Sequence, residues 1–482
     1  YESLNANTTA SNNTAVGYKS LYASTTGDGN TALGYQSLLD NTTGANNTGL
    51  GYEALANNTT GNLNVSVGLQ SLVTNTTGAN NTALGYQALY YNTTASYNTA
   101  VGYVAGRDIT TGDRNVLMGS FAGQDITTGQ YNISIGYSAG GANGSDLTGA
   151  SNSMIGGFAG TSMTSGSSNT ALGDSALRSN TTASNNTAVG YKAAYSNTTG
   201  YENVALGLES LLTNSTGIRN TATGRDSLRL NTTGSYNVAN GMEALRSNTT
   251  ASENVAVGYR AMITNTTGAD NTAVGPDSMY DNTTGQKNAA FGKASLGDNT
   301  TGNYNVAVGP YSLRNNTTAF NNTAVGYQAG YNTTTQPENT FLGAGAGYSN
   351  VTGTKNTFVG MNSGYYCTGS DNTILGRFSG NQGGLDIRTT SNNIVLSDGD
   401  GNPRMFYAWL GRASSSSTIG EGDDIAGSGL RYAGISQILW QTSSYGHSTT
   451  QGGTPSGTWR AMGKCASGYS NVYPSTIFLR IS

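Results

Sequence analysis

A glycine recurs at every seventeenth position through most of this chain. The series runs from Gly17 to Gly136, resumes after a three-residue insertion at Gly156, continues to Gly360, and has a last member one residue early at Gly376. Asparagine stands four residues before each of these 22 glycines, and Ala or Ser stands three residues after each. Such a strict period is typical of a repeat architecture in which every unit packs on its neighbours.

The length of the repeat indicates which architecture this is. Seventeen residues are too few for a pair of helices, since helical repeats need about 33 or more. The consensus Asn-Thr-Ala-(Val/Leu)-Gly-Tyr-x-(Ala/Ser)-Leu-x-x-Asn-Thr-Thr-(Gly/Ala)-x-x suits one coil of a parallel β-solenoid. We expect two short extended segments per coil, Asn-Thr-Ala-Val-Gly-Tyr and the stretch around Ala-Leu. An Asn-Thr-Thr-Gly corner would join them, because Asn and Gly accept positive φ.

The sequence therefore predicts an all-β fold, a parallel β-solenoid or β-roll of about 22 coils. At the strand spacing of about 4.8 Å, these coils would form a rod of about 100 Å. Equivalent positions would form ladders, with Asn amides bonded from coil to coil, a small residue in the narrow interior, and glycine where backbones approach closely. The ladder positions that represent this prediction are Asn13, Gly17, Asn30, Gly34, Asn186, Gly190, Asn322 and Gly326.

The two faces of the first extended segment both carry apolar residues. Alternation along Thr14 to Tyr18 puts Val16 and Tyr18 on one face and Ala15 on the other. One face would fill the coil, and the other would meet a neighbouring chain, so the sequence predicts an oligomer.

Eight coils depart from the consensus, with glycine where the others have Leu or another bulky residue. Two explanations stay open for these blocks: a change in cross-section or twist, and drift among duplicated units. The positions are Gly106, Gly123, Gly140, Gly160, Gly330, Gly347, Gly364 and Gly380.

Charge and composition narrow the function classes. Charged residues make up 10% of the chain, where about a quarter is usual. The net charge of −4 provides no basic surface for nucleic acid, and no apolar run is long enough to span a membrane. Two cysteines, Cys367 and Cys465, are too few for a disulfide framework. Because Tyr1 falls in mid-coil without a capping unit, we expect the chain to be the distal part of a longer protein.

The composition changes near residue 385. Asn393 to Leu396 resembles one last coil, but Ser397 replaces the glycine, and all three tryptophans and the one histidine follow. We therefore predict a solenoid shaft over residues 1–384, a transition segment over 385–411, and a β-rich tip over 412–482. Apolar segments at 435–440, 458–462 and 476–481 are expected to be strands.

Chemistry-bearing residues are sparse. Any triad would need His447, and a carboxylate pair for glycan cleavage could come only from the loops with Asp398 and Asp400 or with Glu421, Asp423 and Asp424. The run from Asp398 to Asn402 resembles a calcium loop without its bidentate Glu, and a turn between strands explains it more simply. The sequence predicts no catalytic site, no metal and no cofactor.

The repeated Asn-Thr-Thr is also a glycosylation sequon, as at Asn41, Asn58, Asn75 and Asn92. Its threonine rows raise a second possibility, ice binding, although adjacent threonines should point to opposite sides of an extended segment.

Aromatic residues gather in the predicted tip. Flat rings beside polar groups suit sugar or protein surfaces, and core packing of a small β domain is the alternative. The candidate receptor-binding residues are Trp440, Tyr445, His447, Trp459, Tyr469 and Tyr473.

Two families resemble parts of the chain. The coil from Asn13 to Ser20 resembles the head repeats of trimeric autotransporter adhesins, which form left-handed parallel β-rolls packed as trimers, although the period of this chain is longer than theirs usually is. The segment from Ser456 to Gly463 and the closing Thr476 to Ser482 look like the C-terminal tip of bacteriophage tail fibres. The stretch Asn392 to Asn402 is similar to the junction that precedes a self-cleaving chaperone domain in fibre proteins, but no such domain follows here.

The chain ends in a polar, Trp-containing tip instead of the coiled-coil stalk and membrane anchor of an autotransporter, which favours the phage fibre. The resemblance implies a homotrimeric distal tail fibre on the virion, which binds a host surface receptor, a glycan, and joins upstream fibre or tail proteins. The alternatives are a bacterial cell-surface trimeric adhesin and a glycan-degrading tailspike.

Overall fold

The computed structural model describes residues 1–141 and 144–409, together with the backbone of four short strands at 440–441, 447–448, 459–461 and 475–480. Within these residues the fold is all-β without a helix, and it is a parallel β-solenoid of about 22 turns in which equivalent strand residues lie about seventeen positions apart. This confirms the predicted fold class. The chain divides into two units, Tyr1–Asn254 and Val255–Ser482.

The first unit has one three-residue strand per turn. Each strand pairs in parallel with that of the next turn, and the register is constant, as in Thr31↔Thr48 and Leu33↔Leu50. The strands are β1 (Thr14–Val16), β2 (Thr31–Leu33), β3 (Thr48–Leu50), β4 (Val65–Val67), β5 (Thr82–Leu84), β6 (Thr99–Val101), β7 (Val116–Met118), β8 (Ile133–Ile135), β9 (Ser153–Ile155), β10 (Thr170–Leu172), β11 (Thr187–Val189), β12 (Val204–Leu206), β13 (Thr221–Thr223) and β14 (Val238–Asn240).

The second unit continues the same pattern and ends differently. Its parallel strands are β15 (Val255–Val257), β16 (Thr272–Val274), β17 (Ala289–Phe291), β18 (Val306–Val308), β19 (Thr323–Val325), β20 (Thr340–Leu342), β21 (Thr357–Val359) and β22 (Thr373–Leu375). A short antiparallel hairpin follows, formed by β23 (Asn381–Gln382) and β24 (Leu385–Asp386). Strand β25 (Asn393–Ser397) then pairs in parallel with β22, which confirms the predicted last coil.

Antiparallel pairing begins after β25. Strand β26 (Pro403–Trp409) lies between β25 and β30 (Ser475–Arg480), and β29 (Trp459–Ala461) pairs with β30. A separate two-stranded hairpin consists of β27 (Trp440–Gln441) and β28 (His447–Ser448). The predicted strands at 458–462 and 476–481 are therefore confirmed, whereas residues 435–439 lie outside the described residues.

The core of each turn is narrow and consists of small residues with one larger side chain. The central strand residue points inward, so Ala32 is fully buried while Leu33 beside it is half exposed. Ser37 and Leu38, which follow the column glycine by three and four residues, are also fully buried. The predicted small column is thus confirmed.

Two asparagine ladders satisfy the backbone at the corners of the solenoid. In the predicted ladder, Asn30 donates its Nδ2 hydrogens to the carbonyls of Gly27 and Gly44, at 3.0 and 2.9 Å, and its Oδ1 accepts from the N–H of Asn47 at 2.9 Å. Asn13, Asn186 and Asn322 make two of these contacts in their own turns, the Nδ2 bond to the carbonyl fourteen residues further on and the Oδ1 bond from the N–H of the next ladder Asn. The predicted Asn ladder is confirmed, and it bonds side chains to backbone as well as to other side chains.

The column glycines occupy a conformation and a space that exclude a side chain. Gly68 has φ of +131°, and a Cβ there would lie 2.5 Å from the carbonyl oxygen of Gly85. Gly17, Gly34, Gly190 and Gly326 have φ between +132° and +141° and the same close approach to the next turn. This confirms the predicted reason for the glycine column.

Two predictions about the coil are wrong: the position of its bends and the second extended segment. None of the residues Asn41 to Gly44 has positive φ; the left-handed residues of that coil are Gln36, Leu38 and Asn46, with φ of 55°, 54° and 57°. The stretch around Leu38 is therefore not a second strand but a series of turns. Its backbone N–H groups still bond to neighbouring turns, from Gln36 to the Tyr18 carbonyl and from Leu38 to the Ala54 carbonyl.

A left-handed Leu costs about 1–2 kcal/mol. Burial of its side chain contributes about 1.5–3 kcal/mol, so the two terms are of similar size. Gln36 and Leu38 are residue types that rarely adopt the left-handed conformation. A prediction that expects bends only at Asn and Gly therefore places them wrongly.

In most of the glycine-variant coils, the space that a Leu side chain fills in other turns is taken up by a bulky strand residue that stands where other turns have Ala. A Cβ at Gly106 would lie 2.5 Å from Cδ1 of Leu117, a bulky residue where other turns have Ala. In the second unit, Gly330 leaves the same room for Phe341, with a Cβ 2.7 Å from Cδ2 of the ring. This matching of volumes argues against drift, one of the two explanations left open for these coils.

Candidate functional site

The most extensive surface feature is a set of exposed apolar residues in the third strand position and just after the column glycine. We call these the outer apolar columns. In the first unit they comprise Val16, Leu33, Leu84, Met118, Ile155, Leu172 and Leu206 with Tyr18, Tyr35, Tyr52, Leu69, Tyr86, Tyr103, Tyr137, Tyr191, Leu208 and Met242; in the second unit they comprise Phe291, Leu342 and Leu375 with Tyr259, Tyr327 and Met361. Leu33 is 50% exposed although it lies in a strand. Columns of this extent are unusual on a monomeric surface, which makes them the candidate interaction surface of the described residues.

Tyrosines in these columns stack on one another. The ring centroids of Tyr18 and Tyr35 are 5.2 Å apart, and those of Tyr35 and Tyr52 are 5.0 Å apart with planes only 6° from parallel. The spacing follows the distance between turns, so a tyrosine at a constant place in the repeat necessarily forms a ladder. Sequence reasoning noted these tyrosines but not their stacking, which the constant period of the repeat could have indicated.

Charged residues pair mainly between adjacent turns. Arg219 contacts Glu202 at 2.6 Å and also donates to the Tyr236 hydroxyl at 3.0 Å. These two partners raise the pKa of the Arg219 guanidinium. Such exposed pairs contribute little stability. They do pair many of the few charged side chains of the protein with one another.

Three of the six predicted receptor-binding residues lie in described strands. Trp440 in β27 pairs with Ser448, and His447 in β28 pairs with Gln441, so both belong to one hairpin. Trp459 in β29 pairs with Arg480. Tyr445, Tyr469 and Tyr473 lie outside the described residues. The binding role of the six stays a prediction.

The acidic loop after β25 is a hairpin turn, as the simpler explanation predicts. The Asp398 carboxylate accepts from the Asn402 N–H at 2.8 Å and contacts Arg404 at 2.7 Å. Although partial burial works in the opposite direction, the hydrogen bonds from Asn402 and Arg404 lower the pKa of Asp398. Glu421, Asp423 and Asp424 lie outside the described residues.

Among the described residues, no three His, Cys, Asp or Glu side chains are grouped so that they could hold a metal ion. The same residues contain no helix with the length and apolar character needed to cross a bilayer.

From Asn41 to Asn316, the asparagines of the Asn-Thr-Thr motif form the second ladder and are fully buried. Asn58 is fully buried, and its Nδ2 donates to Oδ1 of Asn41 at 2.7 Å and to the Gly61 carbonyl at 2.9 Å. Asn75 and Asn92 continue this ladder at 2.8 Å per step. The amide that a glycan would occupy is therefore part of the core of the folded protein.

The threonines of the same motif have unequal surroundings. The Thr42 hydroxyl donates to the Thr59 carbonyl of the next turn at 2.9 Å, while Thr43 is exposed. One threonine of each pair is thus used in the backbone network, and the other forms a single exposed row.

No protein-family model, no curated protein and no solved structure matches this chain.

Proposed function

We propose that the chain is the distal part of a homotrimeric tail fibre of a tailed bacteriophage. The solenoid is the shaft, and the segment 412–482 is the tip that binds a receptor on the host surface, a glycan. In this role the protein belongs to the virion, joins upstream fibre or tail proteins through its shaft, and has no enzymatic activity.

The outer apolar columns carry the proposal of self-assembly. They run along each unit in register, so a second copy of the same chain would present matching columns at the same spacing. The burial of a half-exposed Leu or Tyr in each of many turns stabilises association, because every square ångström of apolar surface removed from water contributes about 25 cal/mol. A shaft made this way is stiff, and it holds the tip away from the virion.

The mass in solution tests the assembly. Light scattering is expected to give three times the mass of one chain, which is 49.5 kDa. A double substitution in the outer apolar columns, Leu84→Lys with Leu172→Lys, is expected to shift the mass to that of one chain. Thr43→Lys is the matched control, since Thr43 is exposed but lies outside these columns. A wild-type mass of one chain refutes the trimer.

Host adsorption tests the tip. Deletion of residues 412–482 is expected to abolish the adsorption of virions that carry the protein, while the shaft keeps its β-structure by circular dichroism. Unchanged adsorption would show that the receptor site lies elsewhere.

A bacterial trimeric adhesin is the second candidate, favoured by the solenoid and by the resemblance of the repeat to adhesin heads. An adhesin would be found on the bacterial envelope, whereas a fibre would be found in purified virions, so fractionation distinguishes the two. The third candidate, a glycan-degrading tailspike, requires that the intact trimer release oligosaccharides from the host glycan, and the fibre proposal predicts none.

A further inference from the structure

The last turns of the second unit form an open cleft that no part of the proposed function uses. Its volume is about 500 Å³, within the range of about 300–1,000 Å³ that is usual for small-ligand sites. It lies within the described residues and before the predicted tip. Its lining includes Asn362, Tyr365, Tyr366, Arg377, Gln382 and Asp400.

An aromatic ladder ends at this cleft. Tyr331, Tyr348 and Tyr365 stack at centroid distances of 5.2 and 4.7 Å. The equivalent position in the next turn is Asn381, so the ladder stops with Tyr365. Tyr366 then stands at 71° to Tyr365, with centroids 4.8 Å apart, and is 55% exposed. Tyr365 is therefore stacked on the ladder, whereas the ring of Tyr366 beside it is open to a ligand.

The polar groups of the cleft are held in place by the turn after β25. Gln382 donates its Nε2 hydrogen to the Asp400 carbonyl at 2.6 Å, and Arg377 donates to the Gly399 carbonyl at 3.2 Å. Because the Asp398 carboxylate bonds to Asn402 and Arg404, the turn itself is braced. Polar groups fixed before a ligand arrives lose less entropy on binding.

Arg377 has unused hydrogen-bonding capacity. Among the described residues, no carboxylate oxygen lies within 4.0 Å of its guanidinium, in contrast to Arg388 and Arg404 in the same region. One bond to a carbonyl leaves most of its five N–H donors for solvent or a ligand.

We propose that this cleft is a glycan-binding site that takes a pyranose residue. The apolar C–H face of the sugar would pack on Tyr366, and its hydroxyls would bond to the amides of Asn362 and Gln382, to the Asp400 carboxylate and to Arg377. A ligand with hydroxyls around a compact ring fits this mixture of neutral amides, one anion and one cation. An extended apolar peptide would find no deep apolar pocket here.

The inference deepens the proposed attachment function, because it gives the protein a glycan contact on its shaft in addition to the one expected in the tip. The argument for the cleft itself depends only on its residues. The chemistry is therefore open to test whether or not the protein is a phage fibre.

Binding of the purified full-length protein to an array of bacterial surface polysaccharides tests the site. We expect binding to at least one polysaccharide, and we expect Tyr366→Ala and Gln382→Ala each to weaken it about tenfold or more, which corresponds to the loss of about 1.4 kcal/mol or more at a central contact. Tyr304→Ala is the matched control, because Tyr304 is 56% exposed but lies far from the cleft in sequence and is not part of its lining. This variant is expected to bind like the wild type.

The outcomes separate the site from the proposed function. If Tyr366→Ala weakens polysaccharide binding but the wild-type protein never competes with a phage for adsorption, the cleft proposal stands and the fibre proposal fails. If the protein competes for adsorption while Tyr366→Ala and Gln382→Ala bind every polysaccharide like the wild type, the cleft proposal is overturned. Binding to no polysaccharide on the array also overturns it. Unchanged circular dichroism and thermal unfolding of the variants show that loss of binding is not loss of folding.

Discussion

Replacement of a ladder asparagine tests the idea that these amides hold adjacent turns together. In Asn64→Ala, the buried N–H of Asn81 loses its acceptor, Oδ1 of Asn64 at 3.0 Å. The Gly78 carbonyl loses one donor at 2.9 Å but keeps the second, Nδ2 of Asn75. Asn47 keeps its bond to the backbone N–H of residue 64 but loses the one from Nδ2 of Asn64 at 3.2 Å. The variant therefore leaves one buried donor unpaired and removes two further hydrogen bonds.

The expected loss follows from these changes. An unpaired buried N–H costs about 1–3 kcal/mol, and each of the two hydrogen bonds contributes about 0.5–1.5 kcal/mol, so local stability should fall by about 2–6 kcal/mol. Repeat proteins open turn by turn, which makes a single global free energy of unfolding a poor measure. Hydrogen exchange is the appropriate assay, and the amides around Asn81 should exchange about 30- to 20,000-fold faster, at tenfold for each 1.4 kcal/mol.

Asn57→Ala is the matched control for this experiment. Asn57 is an exposed asparagine of the same turn, and its backbone N–H makes the bond to the next turn, to the Val73 carbonyl at 3.1 Å. Its replacement should change local stability by less than about 0.5 kcal/mol. Equal exchange rates in the two variants would refute the role assigned to the ladder.

Four further predictions concern the buried residues. Gly347→Leu should destabilise the protein by about 1–3 kcal/mol, because the new side chain meets the Phe341 ring; the double variant with Phe341→Ala should recover more than half of that loss by thermal unfolding, and strict additivity would contradict the volume exchange. Burial raises the pKa of the Cys367 thiol to about 12, so in Cys465→Ser protein iodoacetamide should not label it at pH 8 without denaturant, and rapid labelling would contradict its burial. Because the folded pKa of this thiol exceeds its ordinary value, the stability that the protonated thiol contributes is complete below about pH 9. Between that pH and the folded pKa, this contribution falls by up to about 1.4 kcal/mol per pH unit. The difference in free energy of unfolding between wild type and Cys367→Ala in denaturant titrations measures this fall. Oligosaccharyltransferase should modify Asn58 in the unfolded chain and leave Asn58 unmodified in the folded protein, as read by mass spectrometry of the peptide that contains it; glycosylation of Asn58 in the folded protein would contradict the buried ladder.

The repeat made most of the fold predictable. Its constant period placed the strands, their parallel register, the buried Asn and the column glycines, because each follows from stacking identical units. The bends were predicted wrongly, since Gln36 and Leu38 take left-handed conformations that their residue types disfavour and that contacts between turns impose. Local preference could not reveal this.

The candidate site could be predicted less well. Strand alternation predicted that Val16 and Tyr18 share one face and that Ala15 lies on the other, but it did not say which face points outward. The cleft at Tyr366 was not predicted, because its residues come from successive turns and a hairpin. Only the fold brings Asn362, Arg377 and Asp400 to one place.

Gold-labelled antibodies against the purified protein, applied to a culture of its source and imaged by electron microscopy, would test most directly whether the protein is a phage fibre. Label on the tail fibres of virions, concentrated distally, is the expected result. Label on the envelope of bacterial cells, with virions unlabelled, would contradict the fibre and indicate an adhesin.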